Sequence, residues 1–194
     1  MTDFIFFIAS ATLNRFRDHP AIKQKIERSG DSYDVHREAY RYYRRLVPVR
    51  ERVFLGPFSI RKPNGNIYGL IFGSRHQLGM HKFLQVAWAN DSIAGEANFD
   101  IERENIIPGE LLLDIQEMRP NKIKAFEGDL EQALRAGKIR SEADILDICI
   151  EAGMTGKHCE PILKKLKAEG VIESNFRVPD VGNYSNPRPI KMKR

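Results

Sequence analysis

The segment Phe4-Ile5-Phe6-Phe7-Ile8-Ala9 constrains the fold of this chain more than any other. Six consecutive apolar residues, rich in aromatic and β-branched side chains, predict a β-strand that is apolar on both faces. Such strands suit the interior of a sheet covered by helices on both sides, whereas a half-exposed strand alternates apolar with polar. The run is far shorter than the ~20 residues of a membrane span. It follows Asp3 rather than a basic region, so it does not read as a secretion signal. An interior strand at the beginning of a sequence must find its neighbours later in the chain or in another molecule.

The next segments alternate helix and strand. Residues 20–28 and 33–46 read as helices, the second with Val35, Ala39, Tyr42, Tyr43 and Leu46 on one face. Residues 53–60 and 67–72 read as a hairpin. Its turn, Lys62-Pro63-Asn64-Gly65-Asn66, offers the Asn-Gly pair that tight hairpins use. Pro57 marks its strand as an edge or a bulge. A helix is predicted from Leu78 to Ala89, burying Leu78, Phe83, Leu84, Ala87 and Trp88. Residues 90–110 are irregular and polar, Leu111–Ile115 reads as a short strand or the start of a helix, and Arg119-Pro120-Asn121 breaks the pattern. The expected organisation is an α/β half-sheet domain over 1–115 and a second domain over 125–194.

The second domain has a clear order. Phe126–Ala136 is a helix ended by Gly137. Ser141 caps a helix running to Ala152, with Asp144 as the reciprocal member of a capping box. Gly153-Met154-Thr155-Gly156 is a turn. A helix from His158 to Glu169 follows, with Pro161 in its first turn and Gly170 at its end. Then come a strand at 171–174, a polar loop at 177–186 and a returning strand at 189–192. Helix, helix, turn, helix, strand, loop, strand is the order of a winged helix-turn-helix.

Charge supports that reading. The chain holds 31 Lys+Arg against 26 Asp+Glu, a formal net charge of +5. Residues 155–194 carry nine basic and four acidic residues, while 1–120 carry 17 and 15. Lys157, His158, Lys164, Lys165 and Lys167 would project from the third helix, and Arg177, Arg188 and Lys191 from the wing and returning strand. Cations in that arrangement pair with phosphates and release counterions. Nucleic acid is the expected partner of this domain. A second basic cluster, Arg37 to Arg52 with Tyr40, Tyr42 and Tyr43 between, could stack and pair phosphates, but reads better as a tyrosine core stripe with a solvated arginine face.

Motifs of self-contained catalysis are absent. There is no HExxH, no GxSxG and no Walker lysine. His76 and His81 are five apart and diverge on a helix, so they do not share a metal. The acidic residues Asp91, Glu96, Asp100, Glu102 and Glu104 read as a solvated loop. No glycine-rich loop follows a strand, which argues against binding SAM or NAD unaided. Cys149 and Cys159 form no CxxC and read as reduced, buried thiols of a cytoplasmic protein. No cofactor and no metal are expected.

The strand Asp3–Ser10 with Asn14-Arg15-Phe16 after it, the hairpin ending in Tyr68-Gly69-Leu70-Ile71-Phe72-Gly73-Ser74-Arg75-His76-Gln77-Leu78-Gly79, the helix carrying Ala87-Trp88 and the winged tail together resemble the three-Cys-motif partner family. The resemblance implies a partial Rossmann-like sheet of the class I methyltransferase type, beginning at its middle strand, followed by the winged helix. It implies a protein partner, either a radical-SAM-like three-Cys-motif protein or the missing half of the Rossmann domain, with self-association as the alternative. It also groups Asn14, Arg15, Ser74, Arg75 and His76 around one cleft. After the first strand the chain has Ala11-Thr12-Leu13-Asn14-Arg15-Phe16 where amino-methylating enzymes have Asp/Asn-Pro-Pro-Tyr. The expectation is a non-catalytic binding subunit that contacts nucleic acid. The rival is one half of a split SAM-dependent methyltransferase completed by another chain.

Overall fold

The computed structural model describes residues 3–23, 35–48, 50–106 and 120–193. The chain divides into two compact units, Met1–Asn105 and Ile106–Arg194. Among the described residues the architecture is mixed α/β, with a small antiparallel sheet in the first unit.

The first unit contains β1 (Phe4–Ala9), α1 (Ser10–Arg15), α2 (Pro20–Lys23), α3 (Val35–Leu46), β2 (Phe54–Arg61), β3 (Ile67–Ser74) and α4 (Gln77–Asn90). Its three strands lie in the order β1-β3-β2, and β3 is antiparallel to both neighbours. The hairpin closes at the expected turn. Gly65 takes φ 84°, and Lys62 N–H donates to Asn66 O at 2.9 Å.

Helices cover the sheet from both sides. Ile71 packs in a cluster with Ile8, Leu55 and Ala39 of α3. Its neighbour Phe72 faces the other way and stacks on Phe83 of α4, ring centroids 4.9 Å apart. Gly56 is the close-approach point for α4, since a Cβ there would lie 2.5 Å from the Met80 side chain.

Several expectations are corrected here. Within the protomer β1 is not flanked on both sides: among the described residues it pairs with β3 alone, and Ile5 and Phe7 are 64% and 63% exposed. On α3, Leu46 is exposed, while His36 is buried and Tyr40 packs against the core. Tyr40 turns inward because its hydroxyl finds an acceptor there, donating to Leu55 O at 3.0 Å. On α4, Leu78 is exposed and Met80, Leu84 and Ala87 are buried, since the row facing Gly56 is set by Met80. The expected helices at 20–28 and 33–46 are described over 20–23 and 35–46. The possible element at 111–115 lies outside the described residues.

The second unit contains α5 (Asn121–Arg135), α6 (Glu142–Glu151), a 3-10 turn (Gly156–Cys159), α7 (Glu160–Ala168), β4 (Ile172–Glu173), a 3-10 turn (Val181–Asn183) and β5 (Lys191–Met192). α5 begins five residues earlier than expected because Pro120 sits at its entry, where a missing N–H costs nothing. The capping box forms as the sequence predicts: Asp144 N–H donates to Ser141 Oγ at 3.3 Å, and Ser141 N–H to Asp144 Oδ2 at 2.9 Å. Gly170, at φ 69°, ends α7. β4 and β5 pair antiparallel, Ile172 opposite Met192. A third short segment joins them: Ile190 N–H donates to Arg140 O at 2.8 Å, and Glu142 N–H to Arg188 O at 2.9 Å. The core lies between the helices, where Leu130, Leu134, Ile145 and Leu166 are inaccessible to solvent.

Candidate functional site

The eight cations expected at a nucleic-acid interface divide into two groups. Lys157, in the turn before α7, and Lys164 on α7 are exposed, as are Pro161 and Ala168 at the same helical spacing. Lys191 is exposed on β5. None of the three lysines has an ion-pair partner among the described residues.

The others have structural roles. Lys165 Nζ binds both carboxylate oxygens of Glu131 at 2.9 Å. Arg135 bonds Glu131 at 2.8 Å and also pairs with Glu169. Arg177 pairs with Glu160. Lys167 reaches back to Phe176 O and lies over the Phe176 ring, and its burial lowers its pKa. His158 is half-buried, and its Nδ1 accepts from Thr155 N–H at 3.1 Å, closing the turn into α7. Burial lowers its pKa; the Thr155 carbonyl, 3.2 Å from Nδ1 and an acceptor for the protonated ring, opposes that shift, and the Lys122 charge adds to it. His158 thus helps shape the turn into α7, and its burial disfavours the cationic form.

Arg188 meets a residue that the sequence reading did not single out. Glu142, at the first turn of α6, is completely buried. Its Oε2 accepts from Arg188 Nε at 2.8 Å, its Oε1 from Asp180 N–H at 2.6 Å, and Arg188 Nη2 completes a two-pronged pair. Arg188 also lies over the Phe176 ring, 4.7 Å from its centroid. Burial works against ionisation of Glu142, but the bonds from Arg188 and from the Asp180 and Arg188 N–H groups outweigh it and hold its pKa below the usual value. The available sequence signal was an acidic residue directly after a capping serine. That position also suits a helix dipole, which hid its second role.

Asn14, Arg15, Ser74, Arg75 and His76 are not gathered into one cleft by the strand register. β1 pairs Phe4 with Gly73 and Ala9 with Tyr68. Asn14 and Arg15, on α1, therefore follow β1 from the Tyr68 end of β3, and Ser74 to His76 leave β3 at its other end. The local bonds explain the Ser-Arg-His sequence. Ser74 Oγ accepts from His76 N–H at 2.9 Å, and His76 Nδ1 accepts from Leu78 N–H at 3.2 Å, so the two side chains cap α4. A Cβ on Gly79 would lie 2.8 Å from Ser74 Oγ, and one on Gly73 would strike the Phe4 ring. Arg75 pairs with Glu51, and Arg15 lies over Phe16.

The acidic stretch is likewise structural. Asp91 accepts four backbone N–H bonds, from Ile93, Ala94, Glu96 and Ala97, at 3.0–3.1 Å. Asp100 accepts from Glu104 and Asn105. Arg37 of α3 pairs with Glu96 and Glu102. No group of three or more potential metal ligands occurs among the described residues. Cys149 and Cys159 are buried free thiols with their sulfurs 3.1 Å apart. That contact and burial raise the Cys159 pKa.

No family model, curated protein or solved structure matches this chain. No helix among the described residues is long and apolar enough to cross a membrane. Among the described residues, the second unit has exposed lysines without ion-pair partners and the first has an apolar strand with one uncovered edge.

Proposed function

We propose that the chain is a non-catalytic binding subunit, similar in organisation to the three-Cys-motif partner family. Its second unit is a winged helix that contacts nucleic acid, and its first unit is part of a Rossmann-like sheet that docks on another polypeptide. The order of helices, the antiparallel β4–β5 pair and the third segment at Arg140 bonded to Ile190 support the winged-helix reading. The observation that carries the nucleic-acid part is the α7 face. Lys157 and Lys164 are exposed with no acidic partner among the described residues, while the neighbouring cations Lys165, Arg177 and Arg188 are neutralised by Glu131, Glu160 and Glu142.

Three lysines pairing phosphates predict a log K against log salt slope of about −3 on duplex DNA. The Lys157→Glu, Lys164→Glu double variant reduces that slope by about two. Fluorescence anisotropy with a labelled duplex at graded salt reads both. Absence of binding at low salt would remove the nucleic-acid function.

The split-methyltransferase rival is the weaker reading. It needs Asn14, Arg15, Ser74 and His76 to line one site, yet the two pairs enter the fold from opposite ends of the sheet, and Ser74 and His76 already cap α4.

A further inference from the structure

The sheet of the first unit has two unlike edges. Outside β2, residues 96–98 act as a short fourth strand: Ser59 N–H donates to Glu96 O at 2.7 Å, and Asn98 N–H to Ser59 O at 3.1 Å. The Asn98 amide finishes the cover by bonding Arg61 N–H and O. Outside β1 no described segment lies. Phe4, Ile5, Phe6 and Phe7 remain 36%, 64%, 46% and 63% exposed. Charges, prolines or bulges usually blunt such an edge. β1 has none of the three; the Phe4 and Phe6 rings lie tilted with centroids 4.7 Å apart, and Phe6 touches Tyr43 of α3.

We propose that β1 pairs, antiparallel and edge to edge, with β1 of a second copy of this chain, centred on Phe6. The inference rests on the docking part of the reading above and names the partner. The strand's own residue order supports it. A two-fold axis through an antiparallel pair keeps each face matched with itself, so the register must be centred on a residue. With Phe6 opposite Phe6, Phe4 meets Ile8 and Ile5 meets Phe7. Each of these is an aromatic–β-branched cross-strand pair, and the centre is an aromatic pair. The neighbouring registers lose this match: centring on Ile5 sets Asp3 opposite Phe7, and centring on Phe7 sets Ser10 opposite Phe4.

The exposed strand supplies part of the area of a dimer contact. At ~150–250 Å² per large side chain, the exposed fractions of these four residues amount to about half of the ~800 Å² per partner in a standard interface. Leu46, one turn along α3 from Tyr43 and 58% exposed, extends the apolar surface beside them. The result is one continuous six-stranded sheet, β2-β3-β1-β1-β3-β2, with no bare apolar edge.

Sedimentation of the full chain over a range of concentrations tests this. The wild type is expected as a dimer. Phe6→Lys and Phe6→Glu each place like charges opposite one another and weaken self-association by on the order of 100-fold. Mixed one to one, the two variants are expected to restore the dimer, which damage to the fold could not do. Ile5→Lys, at a position 64% exposed in the protomer, also favours the monomer, with circular dichroism unchanged. A monomeric wild type, a dimer indifferent to these substitutions, or a mixture that stays monomeric would overturn the proposal. A monomeric wild type that captures a different polypeptide through β1 would overturn the second-copy assignment and leave the docking function standing. A chain that dimerises through β1 but binds no DNA would leave this proposal standing and remove the nucleic-acid function.

Discussion

The two units differ in how completely they satisfy their own side chains. In the second unit even a buried carboxylate, Glu142, is matched by a guanidinium and two N–H groups. In the first, α3 and α4 cover the faces of β2 and β3, and residues 96–98 cover the β2 edge, yet four large apolar residues of β1 face solvent. The contrast separates stability from function. The unit that closes on itself leaves exposed lysines at its surface. A unit with an open strand edge presents backbone and apolar side chains to another β-strand.

Four measurements sharpen or break this contrast. The largest expected effect is in the closed unit. Leu130→Ala, at a fully buried site, costs about 3 kcal/mol by cavity formation, while Ile5→Thr on the open strand changes the stability of the monomer by no more than ~0.5 kcal/mol. Chemical denaturation of both variants checks this, and equal losses would show that β1 is as well packed as the core. Second, Glu142→Ala strands Arg188 and removes the acceptor for Asp180 N–H. A loss of roughly 2–3 kcal/mol is expected, smaller than for a fully buried pair because Arg188 is partly solvated. Faster hydrogen exchange at α6 and β5 would locate the effect; unchanged exchange there would show that the clamp is dispensable.

Third, Asp91→Ala removes the acceptor of four N–H groups in the segment leading to residues 96–98 and should cost on the order of 2 kcal/mol. It should also expose the β2 edge, so that aggregation, read by light scattering, rises with the variant. If the variant stays dispersed, the cover at 96–98 is not what protects that edge.

The smallest effect concerns pH. Glu142 has a lowered pKa in the fold, so the unfolded chain takes up its proton first as pH falls. Its stabilisation is full above about pH 4.5 and is lost as pH drops through the folded value. His158 also has a lowered pKa, so the unfolded chain binds a proton below about pH 6.5 while the fold does not. Its stabilisation is likewise present at higher pH and lost on acidification. Melting of the wild type from pH 7 to about pH 2 should fall in two stages, and Glu142→Gln should shrink the lower one. A flat profile would contradict both shifts.

The elements built from short-range chemistry were legible in the residues. The Asn-Gly turn of the hairpin, the Ser141–Asp144 box and the glycine stops of the tail are each encoded within five positions. Helix faces were less legible. Leu46 and Leu78 read as buried and are exposed, because apolar spacing alone does not say which row of a helix meets the sheet. That choice went to Tyr40, whose hydroxyl reaches Leu55 O, and to Met80, which fits over Gly56. The Ser74-Arg75-His76 run was legible as a motif but not as a cap, since a serine and a histidine look the same in a sequence whether they hold a helix or line a cleft.

The amino-acid order alone determined that β1 is apolar on both faces and that the basic surplus lies in the tail. Only the tertiary structure decided that β1 lies at an edge and which lysines remain unpaired. Strand and turn preferences act between residues a few positions apart, so they are written in the local sequence. Neutralising Arg188 requires Glu142, 46 residues away, and covering the β2 edge requires Asn98, 37 residues from Arg61. Such contacts exist only once the chain has closed the distance, and there burial makes each charge depend on its partner.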